Sequence, residues 1–547
     1  MKKFVLLLIF LSFPTFSLMF KYGIYTMHDF HLFRLFEFTN CISEGIFPCR
    51  WSPNSGMGFG EPLFNFYGQV PYLLGQIFRT LSYSVIDSTK AVFILSIVGS
   101  GLTMFVLARK YWGNLGGFLS GIFYMYAPYR AVDVWVRGAL PESLSFVFFP
   151  LIFYFLGDYL SFKKSSSLLW FTLIFSLLLV NHNLSTYMIA PFLFIFWIYH
   201  LIRFRTLVSV FPIILSGLLV IFLSAFYVFP VVFENSFTTV AATTQSYYNY
   251  QLHYTTLKQL FLDRFWGYGG SGWGPNDNLS LSAGHLHWIL PAISGLILFF
   301  KRKLKTDQAY YFLLFFSLGL LALFFTHGKS EILWQNVPGM SFVQFPWRFL
   351  SPAVMFLSLS VGIFPQIFPS SKNTILVVAI VGVILLNYAF YRPDIWRPIS
   401  DMEQFSGKLW DEQRSSALQD YWPKSAPVLP DSFAGTEVIF TSGEGTHISA
   451  QKMSHSAKFV LDVLSPSASL SLPIVYFPGW VGKLDSKPVL VSPDPAGLIS
   501  LEVPIGIHEI DVRFVNTPVR NLGNFISLIA LIVWVLGLSV TLRYEKK

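Results

Sequence analysis

The sequence predicts an α-helical polytopic membrane protein carrying one small β-sandwich domain outside the bilayer. Three observations lead there. Of 547 residues, 54% are hydrophobic, 18% aromatic and only 12% charged, against roughly 25% charged in an ordinary soluble domain. Apolar stretches long enough to cross a bilayer recur along the chain. Over 392–521 these long runs give way to short alternating ones bounded by turn residues.

The candidate spans are 4–20, 90–108, 113–129, 143–161, 167–181, 185–202, 207–231, 285–300, 309–326, 348–368, 374–391 and 522–542, about twelve by the length criterion. The first lies in "MKKFVLLLIFLSFPTF", which has the basic start and apolar core of a signal peptide. Apolar character continues through "SLMF" with no small-x-small cleavage site, so it reads as an uncleaved first span. Segments 113–129 and 167–181 are short enough to be tilted or re-entrant.

Charge sets the expected topology. The net charge of +9 would suggest nucleic acid in a soluble chain. Here the Lys and Arg residues sit in alternate short loops: Lys2/Lys3, Arg109/Lys110, Lys163/Lys164, Arg203/Arg205, Lys301–Lys305, Lys372 and Arg543–Lys547. All share one parity, as the positive-inside rule requires. Both termini are therefore expected in the cytoplasm of a multi-pass cell-membrane protein, with the bilayer and not nucleic acid as partner. The opposite loops, 21–89, 232–284, 327–347 and 392–521, are rich in Trp, Tyr, Gly and Pro and are expected outside.

The expected domain scheme is a transmembrane domain over 1–391, an outer β-rich domain over 392–521, and a last span with a tail over 522–547. In the β-rich part, "KFVLDVL" (458–464), "SLSLPIVYF" (469–477), "LISLEV" (498–503) and "HEIDVRF" (508–514) read as strands. Such a domain would bind an acceptor or glycan, or simply cap the membrane part. No internal repeat and no P-loop occur, which weighs against duplicated transporters and ATP-driven transport. Cys41 and Cys49 share one outer loop, either as a local disulfide or as two free thiols. There is no Cys/His array for structural zinc.

The chemistry-bearing residues cluster at outer ends of spans. "TMHDFHLFRLFEF" (26–38) places His28, His31 and Arg34 at steps of three, one stripe on a helix otherwise lined by Phe and Leu. This suits a helix lying at the outer membrane interface. Asp29 begins that helix, as a cap or first-turn acid on the plainest reading. A metal reading of its His-Asp-x-His spacing is loose, and a divalent metal is not favoured. "GIFPCRWSPNSGMGFGEPLFNFYGQVPYLL" (45–74) is a Gly/Pro/aromatic loop offering ring faces and backbone donors to a sugar or polyprenyl chain. Further along lie Arg130, Asp133, Arg137 and Glu142 in "YRAVDVWVRGALPESL", His182 in "NHNLST", and Trp347 and Arg348 in "VQFPWRFL". Arginine forks bind phosphate bidentately. The plain alternative is snorkelling, or a structural pair such as Arg137–Glu142.

These motifs carry a resemblance. A first span followed by an outward acid on an interfacial helix resembles the glycosyltransferase-C superfamily. More closely, "HDFHLFR", the 45–74 loop, "VRGALPESL", "NHNLST" and "QFPWRFL" resemble the bacterial membrane family labelled "6-pyruvoyl-tetrahydropterin synthase-related". "YFPGWVGKLDSKPV" with "VPIGIHEIDVRF" is similar to the outer domain of YfhO-like membrane glycosyltransferases. The pterin label is a name only, because a pterin synthase would need a zinc-binding histidine set that this sequence lacks.

The resemblance implies a GT-C-type enzyme that moves a sugar from a polyprenyl-phosphate donor to a cell-envelope glycan or protein acceptor. It implies Asp29 as general base, with His28, His31, Arg34, Arg130, Arg137, Glu142, His182, Trp347 and Arg348 as substrate-binding residues. No cofactor is implied. The superfamily often carries a second carboxylate beside that base. Here the next acid is Glu37, which favours metal-independent inverting transfer. The competing readings are a lipid-linked glycan flippase or transporter, which would need charge deep within spans, and an envelope-assembly protein, in which Asp29 and the arginines would not converge.

Overall fold

The structure is a computed structural model. It describes all residues except 26–28, 205–209, 273–276, 302–305, 417–419 and 546–547, and the side chain of Asp29. Eight described helices are long and apolar enough to cross a membrane: Lys2–Phe20, Val85–Met125, Leu140–Phe162, Asn183–Phe204, Asp307–Thr326, Pro346–Ile367, Pro369–Phe390 and Pro518–Tyr544. Val210–Leu223 and Ala225–Phe233 meet at 77° and make a ninth if taken as one broken span. The chain is a multi-pass membrane protein; eight or nine described helices pass the length criterion, against about twelve expected spans.

The differences have local causes. Expected spans 90–108 and 113–129 belong to one element, Val85–Met125, broken at Gly113, where φ is +66°. Its two arms fold against each other: a Cβ on Gly121 would stand 2.9 Å from the Gly101 carbonyl oxygen. Only glycine allows backbones to approach this closely. The expected spans 167–181 and 285–300 are the helices Ser165–Asn181 and His285–Phe300, apolar but short. Pro346–Ile367 forms the centre, with 89% of its apolar window buried, whereas Pro518–Tyr544 has 11% buried and so presents its sides to lipid.

The expected helix after the first span is present as Asp29–Ser43. It does not lie open on the membrane surface. His31, Arg34 and Glu37 form its stripe, and all three are buried. Phe33 and Phe36 pack on Trp410, at 5.5 and 5.4 Å between ring centres. Glu37 accepts hydrogen bonds from Ser52 Oγ (2.8 Å) and from Asn54 N and Nδ2 (3.1 and 2.7 Å). The polar stripe thus faces the outer loop and not water, because the segment before the β-domain covers it.

That loop is the floor of the outer domain. Cys41 and Cys49 are joined in a disulfide. Trp51 packs against Trp480 and Phe514, at 5.2 and 4.9 Å. Gly56 and Gly60 adopt φ of +59° and +84°, and a Cβ at either would stand 2.5 Å from the ring of Trp422 or Trp51. The glycines of "NSGMGFG" let two tryptophans lie on bare backbone.

The β-rich domain is one seven-stranded antiparallel sheet in place of the two separate sheets of a sandwich. Its spatial order is Ile439–Ser442, Ser456–Val475, Leu498–Phe514, Trp480–Leu484, Lys487–Val489. Gly445–Lys452 also pairs with the first long strand, and Ser492–Pro493 with the second. The four strands expected from sequence are pairwise halves of the two long ones. Irregularities between Val463 and Ser467 break their register. Inward residues accordingly switch parity, from Phe459, Leu461 and Val463 to Ala468, Leu470 and Leu472, yet all enter one core. A bulge bends a strand in this way, and a bent sheet encloses a core without a second layer.

One histidine docks this domain on the loop. His455 Nε2 accepts hydrogen bonds from the backbone N–H of Arg50 (3.1 Å) and Trp51 (3.2 Å). Burial, with the charges of Arg50 and Arg520, pushes His455 down to about 3. The unfolded chain, with an ordinary value near 6.5, takes the proton first. The stabilisation is therefore whole above about pH 6.5 and is lost as pH falls towards 3. His455→Gln keeps an acceptor that does not titrate, so its thermal midpoint is expected to vary less with pH across this window. His455→Ala orphans two buried N–H groups and is expected to cost about 1–3 kcal/mol for each. Equal pH dependence in wild type and the glutamine variant would refute the docking role.

Candidate functional site

The site grows from the turn between Met125 and Leu140. Val132–Val136 is a π-turn, closed by Arg137 N–H to the Val132 carbonyl at 2.8 Å. Such turns are uncommon and occur frequently at functional sites. Gly138, at φ +59°, reverses the chain. Pro141 then opens the span Leu140–Phe162 with Glu142 in its first turn, where an acid is favoured by the helix dipole. "VRGALPESL" is thus a compact turn that brings Asp133, Arg137 and Glu142 together.

Glu142 is the hub. Its Oε1 accepts from Tyr129 Oη at 2.7 Å and its Oε2 from Arg137 Nη1 at 2.8 Å. Arg348 Nε stands 3.8 Å from the same Oε2. Arg137 also pairs with Asp133 and lies 4.7 Å above the Trp347 ring. Trp347 Nε1 donates to Ser271 Oγ at 2.9 Å. Arg348 Nη1 is held by the Val343 carbonyl (2.8 Å) and Gln344 Oε1 (3.0 Å). Gln344 itself has φ +66°, a conformation that side-chain-bearing residues adopt at a cost and that clusters at binding sites.

The charges are layered. The Glu142 and Asp133 side chains are sealed, at 2% and 0% exposed, while Arg137 and Arg348 keep 16% and 12% open. The acidic side chains are thus the more deeply buried and the guanidiniums the more exposed, and guanidiniums can bind a carboxylate or phosphate bidentately. Burial and the Glu142 charge push the Asp133 carboxyl well up, against Arg137 and Arg130. His182, hydrogen-bonded to Ser185 Oγ at 2.6 Å, is pushed down to about 4 by burial and by Arg348 and Arg137, against Glu142. It is neutral at pH 7.

His31 joins this cluster to the helix that Asp29 begins. Its Nδ1 meets Tyr72 Oη at 2.9 Å, and its Nε2 accepts from the Leu140 N–H at 3.2 Å. One turn on, Arg34 covers the Tyr67 ring at 3.8 Å and lies 3.9 Å from Asp420 Oδ2.

Of the residues expected from sequence, Arg137, Glu142, His182, Trp347 and Arg348 converge, and His31 and Arg34 adjoin them. Arg130 does not. It is fully buried and donates to the Ser143 carbonyl (2.6 Å), Ser143 Oγ (3.0 Å) and Ser96 Oγ (3.0 Å). It pins two helices together, which corrects its reading as a substrate contact. His28 and the side chain of Asp29 lie outside the described residues. Among the described residues no group of three or more His, Cys, Asp or Glu side chains is arranged to hold a metal. Sequence reasoning missed Tyr129 and Asp420. Tyr129 sits beside Arg130 in a quoted motif, but Asp420 lies far along the chain with no local signal.

No family model and no curated protein matches the chain. The solved structures that are similar include two transferases. One is the single-particle cryo-EM structure of the arabinofuranosyltransferase AftD from Mycobacteria, at 13% identity and TM-score 0.43, covering 72% of this chain and 27% of that one. The other is the crystal structure of the Archaeoglobus fulgidus oligosaccharyltransferase, at 12% identity and TM-score 0.29, covering 72% of this chain and 53% of that one. The chain thus spans about a quarter of the first and half of the second. Overlap this loose carries no chemistry from either protein to this one.

Proposed function

We propose that this chain is a membrane glycosyltransferase of the C type. It moves a sugar from a polyprenyl-phosphate-linked donor to a cell-envelope glycan or protein acceptor on the outer face, by metal-independent inverting transfer. The observation that carries the reading is the pair of partly exposed guanidiniums, Arg137 and Arg348, backed by sealed carboxyl groups at one end of the spans. Two forks aimed outwards from an oriented base suit a phosphate that gains charge as it leaves.

In the proposed step an acceptor hydroxyl attacks the anomeric carbon. The bond from that carbon to the phosphate oxygen breaks, and its electron pair leaves with the lipid phosphate, where Arg137 and Arg348 receive it. The hydroxyl proton goes to the Asp29 carboxylate. His31 ties the helix that Asp29 begins to the turn holding Glu142, which supports reading that helix and the arginines as parts of one site. The bilayer delivers the donor from one side and water the acceptor from the other.

The test is complementation in cells deleted of the gene, with envelope glycans profiled at matched membrane levels. Wild type is expected to restore a missing sugar. Asp29→Asn is expected to cut transfer by about 10²–10⁴, the usual contribution of a positioned base. Equal restoration by both would remove Asp29 from catalysis and favour transport of a lipid-linked glycan.

A further inference from the structure

Beside the arginine pair stands a second group of polar and aromatic side chains that the mechanism above does not use. Its parts come from three distant stretches of chain. Asp420 leads into the outer domain. Its neighbour segment is clamped to the loop after the bent helix pair by Thr239 N–H to the Trp422 carbonyl (2.9 Å) and Lys424 N–H to the Phe237 carbonyl (2.8 Å). The same loop carries Tyr247 and Tyr248, and Gln344 Nε2 holds it by donating to the Thr243 carbonyl at 2.7 Å.

The rings form a short ladder. Arg348 lies 4.9 Å from the Phe345 ring centre, and Phe345 packs edge-on against Tyr248 at 6.1 Å. Tyr248 thus stands on the loop to which the Asp420 segment is clamped, and it reaches Arg348 through the Phe345 ring. Both groups are accessible: the Asp420 side chain is 34% exposed and Tyr248 41%. Behind Asp420 stand Arg34 and Glu61. Glu61 is buried, and its Oε2 has no hydrogen-bond partner. Burial and the Asp420 charge push it up to about 8, against Arg34, so at pH 7 it holds a proton.

A sugar ring fits this pattern. It offers a C–H face to an aromatic side chain and vicinal hydroxyls that donate to a carboxylate. Resting on the glycosyl-transfer reading, we infer that Asp420 and Tyr248, with Arg34 behind the carboxylate, form the subsite that holds the sugar of the lipid-linked donor. Arg137 and Arg348 hold its phosphate next door. Asp420 is then a specificity-determining residue, supplied by the outer part of the chain to a site otherwise built from the membrane part.

The experiment measures binding to the full-length protein in lipid nanodiscs. The probes are decaprenyl phosphate and its mannosyl, glucosyl and arabinosyl derivatives. In wild type, at least one derivative is expected to bind about tenfold or more tighter than the bare phosphate, which is about 1.4 kcal/mol. Asp420→Asn is expected to abolish that increment and leave the Kd of decaprenyl phosphate unchanged. Tyr248→Leu, at an exposed position, is expected to do the same and serves if the Asn variant fails to fold. Arg348→Ala is expected to weaken every probe alike. An increment that survives both the Asp420 and Tyr248 variants overturns the subsite while leaving the phosphate site standing. So does a wild type that binds no derivative better than bare phosphate. If decaprenyl phosphate itself does not bind, the lipid-linked donor reading falls, and the subsite with it.

Discussion

Replacing Glu142 with alanine is expected to destabilise the protein by about 3–5 kcal/mol, the cost of removing one partner from a buried ion pair. Glu142 is sealed and answers three groups at once: Tyr129, Arg137 and Arg348. Without it Arg137 keeps only Asp133 as a carboxylate partner, and Arg348 loses its nearest counter-charge. Arg137 and Arg348 are then two guanidiniums without the carboxylate that both approach. Glu142→Gln keeps the shape and an acceptor for Tyr129, but turns an N–H donor towards Arg137. It is expected to fold, at a penalty of about 1–3 kcal/mol for the mismatched pair, and to bind polyprenyl phosphate less tightly because the forks are no longer aimed. Thermal unfolding and lipid-phosphate binding of the two variants check this. An alanine variant within about 1 kcal/mol of wild type would mean that the three partners are not coupled through Glu142.

What the sequence revealed and what it hid follow from the range of the forces. Helices were legible wherever a single span buries itself among apolar neighbours, as in Leu140–Phe162. The break between 90–108 and 113–129 was legible, because a glycine reverses the chain there, at Gly113; a span was misjudged where two half-helices share one apolar run, at Leu223. The convergence of Arg137 and Glu142 was legible because both lie in one short motif. Their meeting with Arg348 and His182 rested on the side of the membrane alone, since parity places span ends together but not side chains. Arg130 misled because an arginine at a span end looks alike whether it faces water or, as here, Ser96 and Ser143. Asp420 was illegible because only the docking of the outer domain brings it to Arg34. The strands were found in halves because a parity switch at a bulge looks like a turn.

The junction that makes such docking rigid supplies the other large effect. Arg520, at the start of the last helix, is fully buried, and its Nε bonds Glu234 Oε2 at 2.8 Å, with both side chains at most 3% exposed. It also donates to the Pro478 and Val515 carbonyls at 2.8 and 3.2 Å and lies 4.6 Å from the Phe514 ring centre. One guanidinium therefore ties the bent helix pair, the outer sheet and the last span together. Glu234→Ala is expected to cost about 3–5 kcal/mol by stranding a buried cation, seen as a lowered thermal midpoint and as new protease cleavage between the sheet and the last helix. Replacing both partners, Glu234→Leu with Arg520→Met, removes the stranded charge and is expected to recover part of that loss. Recovery stays incomplete, because the Pro478 and Val515 carbonyls lose their donor and the Phe514 ring its guanidinium partner. A double variant no more stable than Glu234→Ala would show that Arg520 holds the junction through those carbonyls and the aromatic face, with the ion pair secondary.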